Sequence, residues 1–185
     1  FSVNREAIAL SDAFIKAGMA ENVLVVGGDV LSSVTDFTDR ATCVLFGDGA
    51  GAAVLKSADN LDPKKDSMVI DSVIHSMLDT AENLAVKAGG SRFPFALVDM
   101  KDPASPKPFL QMNGQEVFKT ATRCMAQVAQ EVLTRNNLTI SQIAWLVPHQ
   151  ANLRIIEMVA RLLDFPMDKV FVNVDRWGNT SAGTV

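Results

Sequence analysis

The sequence predicts an α/β fold, and three features of the chain lead to that class. An amphipathic helical pattern near the start is followed at once by a short run of β-branched residues, as a helix and a buried strand would be. The same alternation of helix and strand patterns returns in the second half. The length of 185 residues, 48% of them hydrophobic, is enough to bury one sizeable core.

The first predicted element is a helix over residues 2–17. Its apolar residues recur at spacings of three and four, and Gly18 follows as a typical helix stop. The next run, Val-Leu-Val-Val at 23–26, is too short for a helix and is apolar on both faces. That pattern favours a central parallel strand.

Residues 42–46 and 52–55 are predicted to be two strands on either side of a glycine turn at 47–51. Three glycines in five residues also suggest a phosphate-binding loop, but the Gly-Lys-Ser/Thr ending of that motif is absent. Residues 68–74 are predicted to be a further strand. A Gly- and Pro-rich loop at 88–108 then separates two blocks, residues 1–108 and 109–185.

The second block begins with a long predicted helix, which runs from near Asn113 to residues 136–137. The runs 143–147 and 170–174 are predicted strands, and an amphipathic helix after Asn152 lies between them. A polar turn at 175–181 precedes a helix that is expected to start near Val185. Both ends of the chain look cut from something longer.

Composition narrows the classes of function. The 17 basic and 21 acidic residues give a net charge of -4, which is not the basic footprint expected for nucleic-acid binding. The chain has neither an apolar run long enough for a membrane span nor a secretory leader, so we expect no membrane partner and a cytoplasmic location. Cys43 and Cys124 are far apart in sequence, and we expect both to be buried packing residues rather than a disulfide or metal ligands.

Two polar turns contain the candidate chemistry. His149 and Asn179 each follow a predicted strand and precede a predicted helix, where open α/β sheets place their ligand sites. An imidazole N–H and an amide N–H aimed at one point would stabilise an oxyanion, and one well-placed donor is worth about 3–4 kcal/mol. Spacing alone is equally compatible with a buried core histidine and favours a simple turn role for Asn179. His75 is expected to be structural.

Four motifs together resemble those of β-ketoacyl-acyl carrier protein synthase III. They are Thr-Asp-Arg at 38–40, Phe-Gly-Asp-Gly-Ala-Gly-Ala at 46–52, Val-Pro-His-Gln-Ala-Asn at 147–152 and Gly-Asn-Thr-Ser at 178–181. The resemblance implies a thiolase-like fold, in which two similar α/β halves form a layered αβαβα arrangement, here truncated at both ends, and usually a homodimer. Residues 1–108 would be the latter part of the N-terminal half with its connecting loop, and residues 109–185 the first part of the C-terminal half.

The reaction that this resemblance implies is a decarboxylating Claisen condensation that initiates fatty acid synthesis. A short acyl group would move from coenzyme A to a cysteine and then be attacked by malonyl-acyl carrier protein, with no metal or cofactor. His149 and Asn179 would be the catalytic donors to the malonyl thioester carbonyl. The family's nucleophilic cysteine would lie just ahead of Phe1, since neither Cys43 nor Cys124 matches it, and the family's C-terminal glycine-rich segment is missing.

The resemblance also implies binding residues. Those for the coenzyme A and pantetheine tunnel would be Gln115, Phe118 and Ala151, although Gln115 departs from the asparagine expected there. Those for the carrier protein would be Gln150, Ala151, Asn152, Leu153 and Arg154, with Lys119 and Arg161 as added positive charges. A local basic patch on a net-acidic chain would suit an acidic carrier. Taken singly, Lys119 and Arg161 are equally well explained as solvated helix residues.

Three alternative functions stay open at this point. A synthase III-like enzyme of polyketide or alkylquinolone biosynthesis would use the same residues with a different acyl donor. A thiolase-fold enzyme could condense coenzyme A esters without a carrier, which Lys119 and Arg161 argue against. A non-enzymatic scaffold subunit would explain the missing nucleophile, but it would not need both His149 and Asn179.

Overall fold

The computed structural model describes residues 3–57, 62, 67–77 and 81–184, with side chains from Glu6 onward. The described helices are α1 (Val3–Lys16), α2 (Gly114–Arg135), α3 (Leu153–Leu162) and α4 (Val174–Trp177). The described strands are β1 (Asn22–Val30), β2 (Asp48–Lys56), β3 (Leu84–Val86) and β4 (Leu110–Met112). The mixed α/β class is confirmed.

The predicted first helix and strand are confirmed as α1 and β1, although Ser2 lies outside the described residues. The parallel pairing expected for β1 is wrong, because β1 pairs antiparallel with β2. An apolar run indicates that both faces of a strand can be buried. It does not indicate whether the neighbouring strand is parallel or antiparallel. Among the described residues one face of β1 is covered: Val25 is buried and α1 contacts the strand, whereas Leu24 and Val26 are 65% and 61% exposed.

Residues 42–46 do not form the predicted strand. Asp39 draws this segment into turns, because its carbonyl oxygen accepts from the N–H groups of Thr42 and Cys43 and its carboxylate accepts from the Thr42 hydroxyl at 2.6 Å. Only Phe46 keeps an isolated strand bridge. The glycine turn expected at 47–51 is also wrong, since most of it belongs to β2.

The strand predicted at 68–74 is replaced by an extended segment without regular secondary structure, residues 67–77. Side chains attach this segment to α2. Asp71 accepts hydrogen bonds from Arg135 at 3.0 Å and Asn136 at 2.9 Å, and the His75 ring lies 2.7 Å from a Glu131 carboxylate oxygen. The 88–108 loop is as expected, apart from a 3-10 turn at Phe95–Leu97. The antiparallel pair of β3 and β4 beside it had no clear sequence signal.

The predicted helices of the second block are confirmed as α2 and α3. Each has an asparagine cap: Asn113 accepts from the Glu116 N–H, and Asn152 accepts from the Ile155 N–H at 2.9 Å. The apolar face of α3 forms the centre of the main core, and α2 packs against it. The buried members of this core are Ile155, Ile156, Val159, Ala160, Leu163, Phe165 and Val170.

The strands predicted at 143–147 and 170–174 shrink to one parallel bridge, Leu146 to Val170. Pro148 has no N–H to extend the pairing, and α4 begins at Val174. A 3-10 turn at Ser181–Thr184 ends the described part of the chain. The helix expected to start near Val185 lies outside the described residues.

We expect Ile156→Ala to lower the free energy of unfolding by about 2–5 kcal/mol, because Ile156 is fully buried and truncation leaves a cavity. Leu162→Ala is the matched control, since Leu162 ends the same helix at 55% exposure. Its expected effect is within about 0.5 kcal/mol. Urea denaturation measures both, and equal losses would contradict the assignment of the core to this face of α3.

Candidate active site

The histidine turn, residues 148–152, leaves the sheet at the Leu146 to Val170 bridge. Because that bridge is parallel, the residues after Leu146 and after Val170 emerge at the same edge. The turn is tight, since the Ala151 N–H donates to the His149 carbonyl at 2.9 Å. The His149 side chain is half-buried, and its Nδ1 atom is shielded from solvent.

The asparagine turn, residues 178–181, follows α4 rather than a strand directly. Gly178 has a positive φ of 67°, which turns the chain at the end of α4. The Asn179 Oδ1 atom accepts from the Ser181 N–H at 3.0 Å. Because a backbone N–H can only donate, the atom facing Ser181 must be the oxygen. The Nδ2 group of Asn179 is thereby oriented away from Ser181 as a hydrogen-bond donor.

The glycine segment, residues 47–51, lies against the asparagine turn. The Asn179 N–H donates to the Leu45 carbonyl, and the Gly47 N–H donates to the Asn179 carbonyl, both at 2.9 Å. A Cβ atom on Gly47 would collide with the Trp177 carbonyl oxygen, and one on Gly49 would lie 2.8 Å from a Thr180 methyl carbon. Gly47 and Gly49 therefore permit close backbone approach to the asparagine turn, which accounts for these two glycines without a phosphate.

Two carboxylates beside this contact accept hydrogen bonds. Asp48 accepts from the Ser32 hydroxyl at 2.6 Å and the Ser32 N–H at 2.8 Å, and these bonds hold the pKa of Asp48 below its usual value. Asp29 in β1 accepts from the Ala182 N–H at 3.0 Å. The first block of the chain is thus attached directly to the turn that contains Asn179.

Gln150 connects the histidine turn with the segment that leads to the asparagine turn. Its Nε2 group donates to the carbonyls of Pro148 and Phe171, at 3.1 and 3.0 Å. Its Oε1 atom accepts from the N–H groups of Asn173 and Val174, at 2.8 and 3.1 Å. Sequence inspection missed this connection, because it joins residues that are far apart in the chain.

A cleft of about 250 Å³ lies between the two turns. The cleft is lined by Val44, Leu45, Ala151, Asn152, Leu153, Val172, Val174, Asp175 and Gly178. Asn179 follows the lining residue Gly178 and His149 lies two residues before the lining residue Ala151, but neither lines the cleft itself. Residues of both turns that contain the candidate donors therefore border one cleft.

The predicted binding residues occupy different environments. Phe118 and Ala151 pack against the main core, whereas Gln115 is exposed at the start of α2. Leu153, Arg154 and Arg161 are exposed on α3, and Lys119 is exposed on α2 with a 2.7 Å ion pair to Glu116. The Asn152 side chain caps α3. The Gln150 side chain is buried, unlike the others expected to meet a carrier protein.

The cysteines were expected to be buried, but both are half-buried. Cys43 lies in the Asp39 turn, and the Cys124 sulfur on α2 is 3.0 Å from the Met77 sulfur. Within the described ranges, no cluster of three or more His, Cys, Asp or Glu side chains is placed to hold a metal ion. No helix in the described part of the chain is both long and apolar enough to cross a membrane.

Comparison with known proteins agrees with the four motifs. Residues 5–77 match the family model of 3-oxoacyl-[acyl-carrier-protein] synthase III, and residues 133–185 match the model of its C-terminal part. The synthase III of Chlorobium luteolum is 43% identical over 97% of this chain and 53% of the relative, and that of Porphyromonas gingivalis is 41% identical over 97% and 51%. The chain spans about half the length of these curated relatives.

Solved structures give the same result for the fold. The 3-oxoacyl-[acyl-carrier-protein] synthase III of Aquifex aeolicus superposes with a TM-score of 0.81 at 36% identity, covering 98% of this chain and 52% of that structure. The Thermus thermophilus synthase III gives 0.80 at 38% identity, covering 98% and 53%. A priming β-ketosynthase of the R1128 polyketide pathway gives 0.74 at 30% identity, covering 98% and 51%. The thiolase-like fold expected from the motifs is confirmed.

We expect Gly47→Ala to destabilise the protein by about 1–3 kcal/mol, because the new methyl group would push the Trp177 carbonyl away and disturb the asparagine turn. Gly90→Ala is the matched control, since a Cβ there meets nothing within 4 Å. Its effect should be within about 0.5 kcal/mol. Denaturant unfolding compares the two, and a Gly47 variant as stable as the Gly90 variant would contradict the close-approach argument.

The Asp39 turn should lose stability in acid. The Thr42 hydroxyl and the Ala41 N–H donate to its carboxylate and hold the pKa of Asp39 below its usual 3.8. A lowered folded-state pKa gives stability that is present above about pH 4 and is lost as the pH falls through the folded value. The stability difference between wild type and Asp39→Asn should therefore shrink as the pH falls from 5 to about 2.5. A constant difference across that range would contradict this role of the carboxylate.

Proposed function

The chain belongs to the 3-oxoacyl-[acyl-carrier-protein] synthase III family, and from that premise we propose that it is part of an enzyme that initiates fatty acid synthesis. The enzyme transfers a short acyl group from coenzyme A to a cysteine thiolate, with coenzyme A as the leaving group. Malonyl-acyl carrier protein then loses carbon dioxide, and its nucleophilic carbon attacks the acyl thioester. The cysteine thiolate leaves, and a β-ketoacyl thioester is released on the carrier.

One observation supports this proposal: the turn that contains His149 is hydrogen-bonded through Gln150 to Asn173 and Val174, and Val174 begins the short helix that leads to Asn179. When the malonyl carboxylate leaves, the electrons of its C–C bond form an enolate, and negative charge develops on the thioester oxygen. His149 and Asn179 donate to that oxygen. We assign the histidine donor to Nε2 because Nδ1 is shielded from solvent, and the asparagine donor to Nδ2 because Oδ1 already accepts from Ser181.

The proposed carrier contact lies on α3 and the start of α2. Leu153, Arg154 and Arg161 are exposed there, and an acidic carrier protein would meet the two guanidinium groups. Lys119 adds less, because its ammonium group already pairs with Glu116 at 2.7 Å. Phe118 and Ala151 contribute to the pantetheine path, with Gln115 nearer solvent. A cytoplasmic homodimer completes the proposal on family grounds.

A polyketide-priming synthase is the second candidate, because the R1128 priming β-ketosynthase shares the fold at 30% identity. It would use the same two donors. The two candidates differ in the acyl donor that the enzyme accepts, so acyl-coenzyme A preference separates them.

We expect His149→Ala and Asn179→Ala in the full-length enzyme each to slow malonyl decarboxylation by about 10²–10³-fold, because each removes one donor to the developing oxyanion. His75→Ala is the matched control, since His75 lies on the 67–77 segment against α2 and has no part in the site. The measurement is carbon dioxide release from malonyl-acyl carrier protein. The wild-type rate should not require a protonated imidazole, so it should not rise as the pH falls through the range where His149 gains a proton.

Acyl transfer gives an independent check on the same proteins. Incubation with acetyl-coenzyme A, followed by intact-mass analysis and peptide mapping, should find one acetyl group on a cysteine. Decarboxylation that survives loss of both donors, or the absence of any adduct with every acyl-coenzyme A tried, would reject the condensing-enzyme proposal. The second result would favour a scaffold subunit.

A further inference from the structure

Gln150 is a polar side chain enclosed by the fold. It is 1% exposed, and its amide makes four hydrogen bonds, with two N–H donations and two acceptances on Oε1. That is the full hydrogen-bonding capacity of a glutamine side chain. Its orientation is fixed by chemistry, because the N–H groups of Asn173 and Val174 can face only the oxygen and the two carbonyls can face only the nitrogen.

The place of these bonds explains what they do. The Leu146 to Val170 pairing is an isolated bridge that does not continue into a regular ladder. The Gln150 amide fills the gap and takes the partners that the missing ladder would have supplied: the Phe171 carbonyl and the N–H groups of Asn173 and Val174. On its own side it also holds the Pro148 carbonyl.

His149 and Asn179 are both close in sequence to residues that the Gln150 hydrogen bonds hold. His149 lies between Pro148 and Gln150, so its backbone is held at one neighbouring carbonyl and one neighbouring side chain. On the other side, Val174 begins α4, which leads through Gly178 to Asn179. The distance between the two turns is therefore set in part by one buried amide.

We propose that Gln150 is a positioning residue, whose buried amide holds the His149 and Asn179 donors at the spacing that the enolate oxygen requires. This inference rests on the proposed function. It replaces the expected contact of Gln150 with a carrier protein, because a side chain with 1% exposure and every hydrogen bond satisfied offers nothing to a partner surface. Leu153 and Arg154, exposed at the start of α3, keep that role.

The expected kinetic effect follows from geometry. A misplacement of about 1 Å at a catalytic group costs on the order of 10²-fold in rate. Gln150→Met keeps a similar length and removes all four hydrogen bonds. Gln150→Glu keeps the acceptors and loses both donors, and protonation of its carboxyl group restores one donor. The two variants therefore differ in a way that pH can reveal.

The experiment measures both half-reactions in the full-length enzyme. For Gln150→Met we expect kcat for decarboxylation to fall about 10- to 100-fold. The fall should be the same with malonyl-acyl carrier protein and with a carrier-free malonyl-pantetheine thioester, and KM for the carrier substrate should change less than about 2-fold. Acetyl adduct formation should stay near the wild-type rate. Gln150→Glu should regain decarboxylation as the pH falls, and Gln150→Met should not.

Three outcomes would overturn the inference. A loss confined to the carrier-bound substrate and seen in KM would make Gln150 a carrier contact, which is the pattern expected for Arg154→Glu. An equal loss of acyl transfer and decarboxylation would make its role merely structural. Unchanged decarboxylation in both Gln150 variants would remove the role altogether. If His149→Ala and Asn179→Ala also leave decarboxylation unchanged, the proposed function itself fails, and the two failures are thereby distinguished.

Discussion

The candidate site depends on one close backbone approach, in which the glycine segment lies against the asparagine turn with no side chain between them. Two hydrogen bonds of 2.9 Å join Leu45 and Gly47 to the backbone of Asn179. The Gly183 position is equally crowded, since a Cβ there would lie 2.6 Å from the Gly49 carbonyl. Any added methyl group would force the two segments apart. This contact joins the first block of the chain to the second and fixes where Asn179 stands.

The interior of the molecule is divided between two kinds of packing. Around α3 the buried residues are almost all apolar, and stability there comes from the area removed from water. Beside the two turns several buried residues are polar: Thr42, Gln150, Thr180 and Thr184. Removing the partner of such a group costs more folding free energy than the paired group contributes. The reason is that a buried polar atom without a partner carries its full desolvation cost. The region around the site therefore tolerates little change in geometry.

The helices could be predicted from the sequence and several strands could not, for a physical reason. The apolar spacing and the caps of α2 and α3 are local, so Asn113 and Asn152 mark their starts in the sequence itself. The runs 42–46 and 143–147 are apolar enough to look like strands. In the folded chain Asp39 draws the first run into turns. The second run pairs at one isolated bridge, and beyond it the Gln150 side chain bonds to the Phe171 carbonyl.

The site could be predicted as two turns but not as a connected unit. A proline before His149 and a glycine before Asn179 are visible in the sequence, whereas the contacts of Gln150 with Asn173 and of Asp29 with Ala182 join distant residues. These long-range contacts determine whether the donors are held in advance. A donor stabilises a developing oxyanion fully only if it need not reorient as the charge forms. The glycine segment restrains Asn179, because its glycines have no side chains and let the two backbones lie in contact. In the proposal above, the Gln150 side chain holds the spacing between His149 and Asn179. In the function proposed above, the hydrogen bonds around the site therefore act on the reaction rate by holding the donors, in addition to stabilising the fold.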